Sequence, residues 1–227
     1  MAPRFEDLRS DYADLWRRME VLPDKVQAVN TIANRLMGFK SLYQQVSQAT
    51  GVPWFVIAAL HNRESDADFD TYLGNGEPLN RVTRLVPKGR GPFPSWEAGA
   101  IDALDLDRLN QVSDWSPERA CYEIEKFNGF GYRAKHVNSP YLWSFSNNYH
   151  GGKYVADGVF NPSVVDRQCG AMPIIKQIMA FDPAANFQVS AIPTSFAVPI
   201  VLALRMGSMV RSETGSFALV AIAPPGR

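Results

Sequence analysis

The chain has 227 residues, with 23 Lys+Arg against 23 Asp+Glu, three His, two Cys and 46% hydrophobic residues, the profile of one soluble globular domain or of one domain with an appendage. Zero formal charge removes any whole-molecule attraction to nucleic acid or to an anionic membrane and leaves only local patches to provide specificity. Cys121 and Cys169 form no CxxC pair, which excludes a disulfide-dense scaffold and a zinc module and leaves a single long-range disulfide open.

The N-terminus, MAPRFEDLRSDYADLW, places acids where a Sec signal needs a basic start and an apolar run, so none is expected. Apolar residues at spacings of three and four predict amphipathic helices over Phe5–Met19 and Lys25–Ala49. Pro53 suits the first turn of a third helix, Trp54-Phe-Val-Ile-Ala-Ala-Leu-His-Asn-Arg-Glu-Ser, whose near absence of polar surface predicts a central, buried position. From Gly74 to Gly99 glycines and prolines break any helix, and Arg81–Val86 alternates as a strand or hairpin arm does. Helices resume over Trp96–Leu109 and Ser116–Phe127, the second with Ser116 as N-cap but without the glutamate of a full capping box. An irregular Gly/Asn/Tyr-rich stretch, Asn128–Pro162, precedes a closing helix over Ser163–Phe181. The charged residues of 183–227 are only Arg205, Arg211, Arg227 and Glu213, leaving 20 basic and 22 acidic residues before them. The expected organisation is therefore a body over 1–182 and a charge-poor extension over 183–227, with short strands starting at Phe187 and Phe217. Its apolar run Phe196–Leu204, broken by Pro199, is far shorter than the ~20 residues of a spanning helix.

Polar residues at the end of a buried helix single out His61 and Glu64. Helical spacing puts Glu64 on the side of His61, Leu60 and Ile57, where burial raises a carboxyl pKa and keeps the acid protonated, as a glycosidase needs in order to protonate a leaving oxygen. The structural alternative is a solvated glutamate, or one paired with Arg63 or His61. Glu77 lies 13 residues on, in the tight turn Gly74-Asn-Gly-Glu-Pro78, and Thr83 follows six residues later. A second carboxylate across a groove could orient water or stabilise charge on a sugar, whereas a turn glutamate and a β-prone threonine are the plain readings.

The helix ending in Glu-Ser, followed by LGNGEPL, a threonine, VPKGRGPFPSWEAGAIDAL and SPYLWSFSNNYHGGKYVADG, resembles a bacterial and phage family of lysozyme-superfamily peptidoglycan hydrolases, over about Tyr12–Phe181. The resemblance implies a mainly α (α+β) lysozyme-like body with a short β-hairpin insertion beside the active-site groove, and the general-acid role for Glu64. Phage lysozymes with a Glu/Asp/Thr arrangement have the second carboxylate and the threonine at the interval of Glu77 and Thr83. This chain departs from them with Glu for Asp and a longer gap after the first glutamate. Asn128–Tyr132 is similar to the Asn/Tyr segment lining the groove of lytic transglycosylases.

A peptidoglycan groove needs aromatic faces with amide and hydroxyl partners, which makes His61, Ser65, Asn75, Asn128, Tyr132 and Tyr141 the candidate substrate-binding residues. Core packing is the alternative for the two tyrosines, and Trp143 reads as packing. His61, His136 and His150 are dispersed and no HExxH occurs, so no metal or other cofactor is expected. There is no GxSxG elbow, and Cys121 reads as a buried structural thiol. Arg81, Arg84, Lys88 and Arg90 form a solvated basic face, or one that meets stem-peptide carboxylates.

The expected activity is a muramidase cutting between N-acetylmuramic acid and N-acetylglucosamine. The alternatives are a lytic transglycosylase, a chitinase-type enzyme and an inactive glycan-binding or virion module. Peptidoglycan strands are the expected partner of a monomer that neither binds nucleic acid nor inserts stably in a membrane. Such an enzyme is made in the cytoplasm and reaches the cell wall by phage-type release, within a particle or by dedicated export.

Overall fold

A computed structural model describes residues 2–187. The eight α-helices of this region are α1 (Phe5–Arg18), α2 (Val26–Met37), α3 (Lys40–Thr50), α4 (Trp54–Ser65), α5 (Trp96–Leu106), α6 (Pro117–Asn128), α7 (Pro140–Trp143) and α8 (Ala171–Phe181). A two-stranded antiparallel sheet, β1 (Lys153–Ala156) and β2 (Val159–Asn161), completes the set, giving the expected α-dominated α+β class. No helix of the described residues is long and apolar enough to cross a membrane.

Helix α4 occupies the centre, and Trp54–Asn62 are all buried. It packs between α3 and α8, while α2 lies on α8, α1 on α6 and α3 on α5. Pro53 sits at its cap, one position before the first turn, and its carbonyl accepts the Val56 and Ile57 N–H groups. Asp66, left-handed at φ 53°, ends the helix. Arg35 of α2 grips that end, pairing with Asp66 at 2.5 Å and donating to Asn62 Oδ1 at 2.9 Å.

The single helix expected over Lys25–Ala49 is two. The break falls at Gly38, the weakest helix former of the stretch, and Phe39, at the start of α3, packs on Phe69 at 4.8 Å. The expected N-cap of α6 is present, with Ser116 Oγ accepting the Arg119 N–H. The closing helix starts at Ala171 rather than Ser163; Gly170 is its N-cap, extended at ψ 154° and packed against the Leu142 carbonyl where a side chain would collide. Residues 163–169 form a strap instead.

The β-structure is displaced from its expected place. Arg81–Val86 forms no strand: Val82, Leu85 and Val86 are 48%, 62% and 79% exposed, and no strand among the described residues pairs with them. The 66–95 insertion is a folded loop, with one isolated bridge, Thr71 to Pro78, and scattered bonds such as Thr83 N–H to Arg90 O. The hairpin lies in the stretch read as irregular, turning at Asp157-Gly158 with Gly158 at φ 68°. Asp-Gly between alternating residues is a strong short-range hairpin signal.

Ala185 and Phe187, beyond the charge-based boundary at 182, are buried in the same core, Phe187 against Trp16 at 5.6 Å and Phe55 at 5.1 Å. The apolar run Phe196–Leu204 and the strand expected at Phe217 lie outside the described residues, as does the strand expected from Phe187 after its first residue. Cys121 and Cys169 are free buried thiols, so the disulfide left open by the sequence is not formed.

Candidate active site

Glu64 is on the last turn of α4, partly buried, and its Oε1 accepts a 2.6 Å hydrogen bond from the Tyr141 hydroxyl. The tyrosine is buried on α7, a single turn packed on α8. Burial pushes the Glu64 carboxyl up; the Tyr141 bond and the Arg63 charge oppose this, and the negative charge of Asp107 reinforces it. The position at a helix C-terminus, with its partial negative charge, acts in the same direction. Glu64 thus holds its proton to higher pH than an ordinary carboxylate. With Oε1 occupied by Tyr141, Oε2 is the oxygen left to carry and deliver that proton.

Arg63, adjacent in sequence, turns away from Glu64. Its guanidinium lies 4.7 Å from the centre of the Tyr141 ring, donates to the Cys169 carbonyl at 3.1 Å and pairs with Asp166 at 3.1 Å. Asp166 also accepts Lys153 Nζ of β1 at 2.6 Å. Burial alone would raise the Asp166 carboxyl, but the Lys153 bond and the Arg63 charge hold it below the usual range. An ionic chain, Lys153–Asp166–Arg63, buried at its aspartate and arginine, therefore fixes the ring whose hydroxyl holds Glu64. Neither Arg63 nor Asp166 was singled out by the sequence. A charge on the last turn of a buried helix is a usable signal for Arg63, whereas Asp166, in a strap without periodicity, carries none.

Asp107 was missed as well. It caps the C-terminus of α5, and burial raises its carboxyl against the lowering effect of Lys126. Its charge bears on both Glu64 and Tyr141.

The other expected site residues divide. The turn carrying Glu77 does lie against Glu64: a side chain on Gly76, left-handed at φ 72°, would come within 3.4 Å of the Glu64 carbonyl. Yet the Glu77 carboxylate is bound into its own loop. Its Oε2 accepts the Leu85 N–H at 2.7 Å, the Arg84 N–H at 2.9 Å and Asn75 Nδ2 at 3.1 Å. Asn75 Oδ1 in turn accepts the Glu77 N–H at 3.0 Å. Thr83 is buried and also committed, donating to the Pro87 carbonyl at 2.6 Å and accepting the Arg90 N–H at 3.0 Å. These three residues shape the loop that borders Glu64. Removing the Glu77 carboxylate by Glu77→Ala should speed hydrogen exchange of the Arg84 and Leu85 amides, read by mass spectrometry, while exchange in α4 stays unchanged.

His61 is a core residue rather than a groove residue. It is fully buried, with Nδ1 accepting from the Tyr43 hydroxyl at 3.1 Å and Nε2 donating to the Asp68 carbonyl at 3.0 Å, and its ring packs on Trp96 at 4.5 Å and Phe69 at 4.8 Å. Desolvation pushes its pKa down to about 4. Since the unfolded chain protonates near 6.5, native stability is lost as pH falls from about 6.5 toward 4, by on the order of 3 kcal/mol at the lower end. Urea midpoints measured across that window should show the loss, and His61→Gln should flatten it.

Tyr132 is buried under the hairpin, edge-on to Tyr154 at 5.1 Å, and its hydroxyl accepts the Tyr154 N–H at 3.3 Å, so it packs rather than lines a groove. The Ser65 hydroxyl makes a long 3.4 Å bond back to the His61 carbonyl, and Asn128 is exposed at the end of α6. Trp143 is in the core, as its composition suggested. In the basic run, Arg90 is engaged with Asp102 of α5, while Arg81, Arg84 and Lys88 are exposed.

No protein-family model, curated protein or solved structure matches the chain. The chemistry at Glu64 is therefore read from its own surroundings: an acid whose pKa is raised by burial, one oxygen fixed by a buried tyrosine, and a second carboxylate, Asp107, acting on it.

Proposed function

We propose that the chain is a peptidoglycan-cleaving glycosidase, a muramidase in which Glu64 is the general acid. The observation that carries this reading is the environment of Glu64. A carboxyl raised by burial, at a helix C-terminus and near a second acid, is suited to give a proton to a glycosidic oxygen near neutral pH. The Tyr141 bond limits how far the pKa rises and orients the group. As the bond to the leaving sugar lengthens, positive charge grows on the ring carbon and its neighbouring oxygen. The Glu64 carboxylate left after proton transfer is stabilised by the Tyr141 hydroxyl and the Arg63 charge. Asp107 supplies negative charge that favours the developing cation.

A second reading, a lytic transglycosylase, is favoured by a specific observation. Glu77 and Thr83 direct most of their hydrogen bonds into their own loop, which suits a mechanism with one working glutamate. There Glu64 acts first as acid and then as base, and the 6-hydroxyl of the muramic acid takes the place of water.

Asp107 provides the test of the electrostatic account common to both. Its charge raises the Glu64 carboxyl, so Asp107→Asn should move the alkaline limb of the pH–activity profile to lower pH. The limb is read from turbidity clearing of purified sacculi. An unmoved limb would remove Asp107 from the site.

A further inference from the structure

Asp166, the anchor of Arg63, also belongs to the wall of a cleft of about 630 Å³, within the range of ligand pockets. Lys25, Lys153 and Arg167 bring three cations to this cleft, and Phe145, Val164 and Val165 bring apolar surface. The charges do not cancel. Asp166 is already neutralised by Arg63 and Lys153, and among the described residues Lys25 pairs with the solvent-exposed Asp24 alone, a pair that is weak and readily exchanged. Arg167 is exposed and pairs with no acid among the described residues. The Lys25 ammonium stands 5.5 Å from the Phe145 ring centre, so positive charge and an apolar face sit side by side. Val165, 56% exposed, extends that face. Such a surface fits a ligand with separated carboxylates and small aliphatic side chains, and the net positive charge of the cleft concentrates it.

The position connects the cleft to the acid. From its Asp166 wall the path runs 3.1 Å to Arg63 and on to the Tyr141 ring, whose hydroxyl touches Glu64. Each muramic acid of a peptidoglycan strand carries a short peptide of alanines and acidic residues on its lactyl group. Four extended residues reach roughly 13 Å from the sugar that carries them.

We propose that the cleft binds the carboxylates of the peptide stem, with Lys25 and Arg167 as the binding cations, so that the enzyme selects peptide-bearing strands over bare ones. The proposal rests on the glycosidase reading in naming its ligand, but its test needs no turnover. The probe is the free stem tetrapeptide, L-Ala–γ-D-Glu–diaminopimelate–D-Ala, titrated into the full chain carrying Glu64→Gln and followed by calorimetry. Binding should weaken at least about tenfold in K25A/R167A, fall as salt rises, and be weaker still for the same peptide with its carboxylates amidated. Both cations are outside the core, so the double variant should keep the parent's melting temperature. Its melting curve, together with single K25A and R167A variants, separates lost binding from lost folding.

Equal binding by parent and double variant, or no binding to the parent, would overturn the proposal. Parallel digestion of sacculi with the wild-type chain keeps the two readings apart. Glycan cleavage without peptide binding removes the cleft alone. Cation-dependent peptide binding without glycan cleavage keeps the cleft and removes the glycosidase.

Discussion

Glu64→Gln should lower cleavage of peptidoglycan by at least about 100-fold, the usual scale for loss of a general acid, while raising the melting temperature at neutral pH. The two effects have one origin. The folded protein holds the Glu64 carboxyl above its ordinary pKa, chiefly through burial. Between the unfolded and the folded pKa the native state binds more protons than the unfolded state, so native stability falls as pH rises through that interval. Holding the carboxyl above its ordinary pKa thus costs stability at neutral pH, and a neutral amide of the same shape removes that cost. The amide still accepts the Tyr141 bond at its carbonyl but has no proton to give. The gain in stability should vanish once pH drops below the ordinary carboxylate range, where Glu64 is protonated in both states. A variant that loses activity and also loses stability at neutral pH would mean that Glu64 holds the fold together rather than serving a reaction.

The second large effect is expected at Asp166. Arg63 and Asp166 have side chains only 6% and 1% exposed, and Asp166 also takes the Lys153 ammonium. Asp166→Ala leaves a guanidinium buried without its counter-charge, which costs about 3–5 kcal/mol in comparable pairs. Urea denaturation should report a loss of that size. Adding Arg63→Met should recover much of it, because an apolar pair of similar volume needs no compensation in a buried site. In the double variant Tyr141 loses the cation over its ring and Glu64 loses a charge that lowers its pKa. Stability should therefore return while the alkaline limb of activity moves to higher pH. A loss below about 1 kcal/mol in Asp166→Ala would show that the pair is solvated and does not anchor the site.

The sequence is most legible where one periodicity dominates. The apolar run Trp54–Leu60 identifies the central helix, and the polar end of that run identifies Glu64, because a carboxylate there is conspicuous against its neighbours. Local chemistry also reads well, as at Ser116, whose hydroxyl caps α6. Long-range pairing is what the sequence hides. Tyr141 meets Glu64 across 77 residues and Arg63 meets Asp166 across 103, contacts set by tertiary packing of segments without periodicity.

The misplaced hairpin has a different cause. Arg81–Val86 alternates as a strand does, yet alternation is a demand for a partner, and none lies beside it among the described residues; Glu77 and Thr83 fix the loop through backbone amides instead. At Lys153–Asn161 the pattern is shorter, but the Asp-Gly turn brings two arms together. His61 shows the converse error. A histidine near a candidate acid suggests chemistry, but its two nitrogens are satisfied by Tyr43 and Asp68 within an aromatic core.

The most direct test of the central claim is mass spectrometry of the fragments released from purified sacculi by the wild-type chain and by Glu64→Gln. The account predicts new reducing N-acetylmuramic acid ends from the wild type and none from the variant. Glutamate-dependent 1,6-anhydro ends would replace hydrolysis with transglycosylation at the same residue. Equal release by both proteins, or no glycan cleavage by the wild type, would contradict the assignment of Glu64 as the catalytic acid.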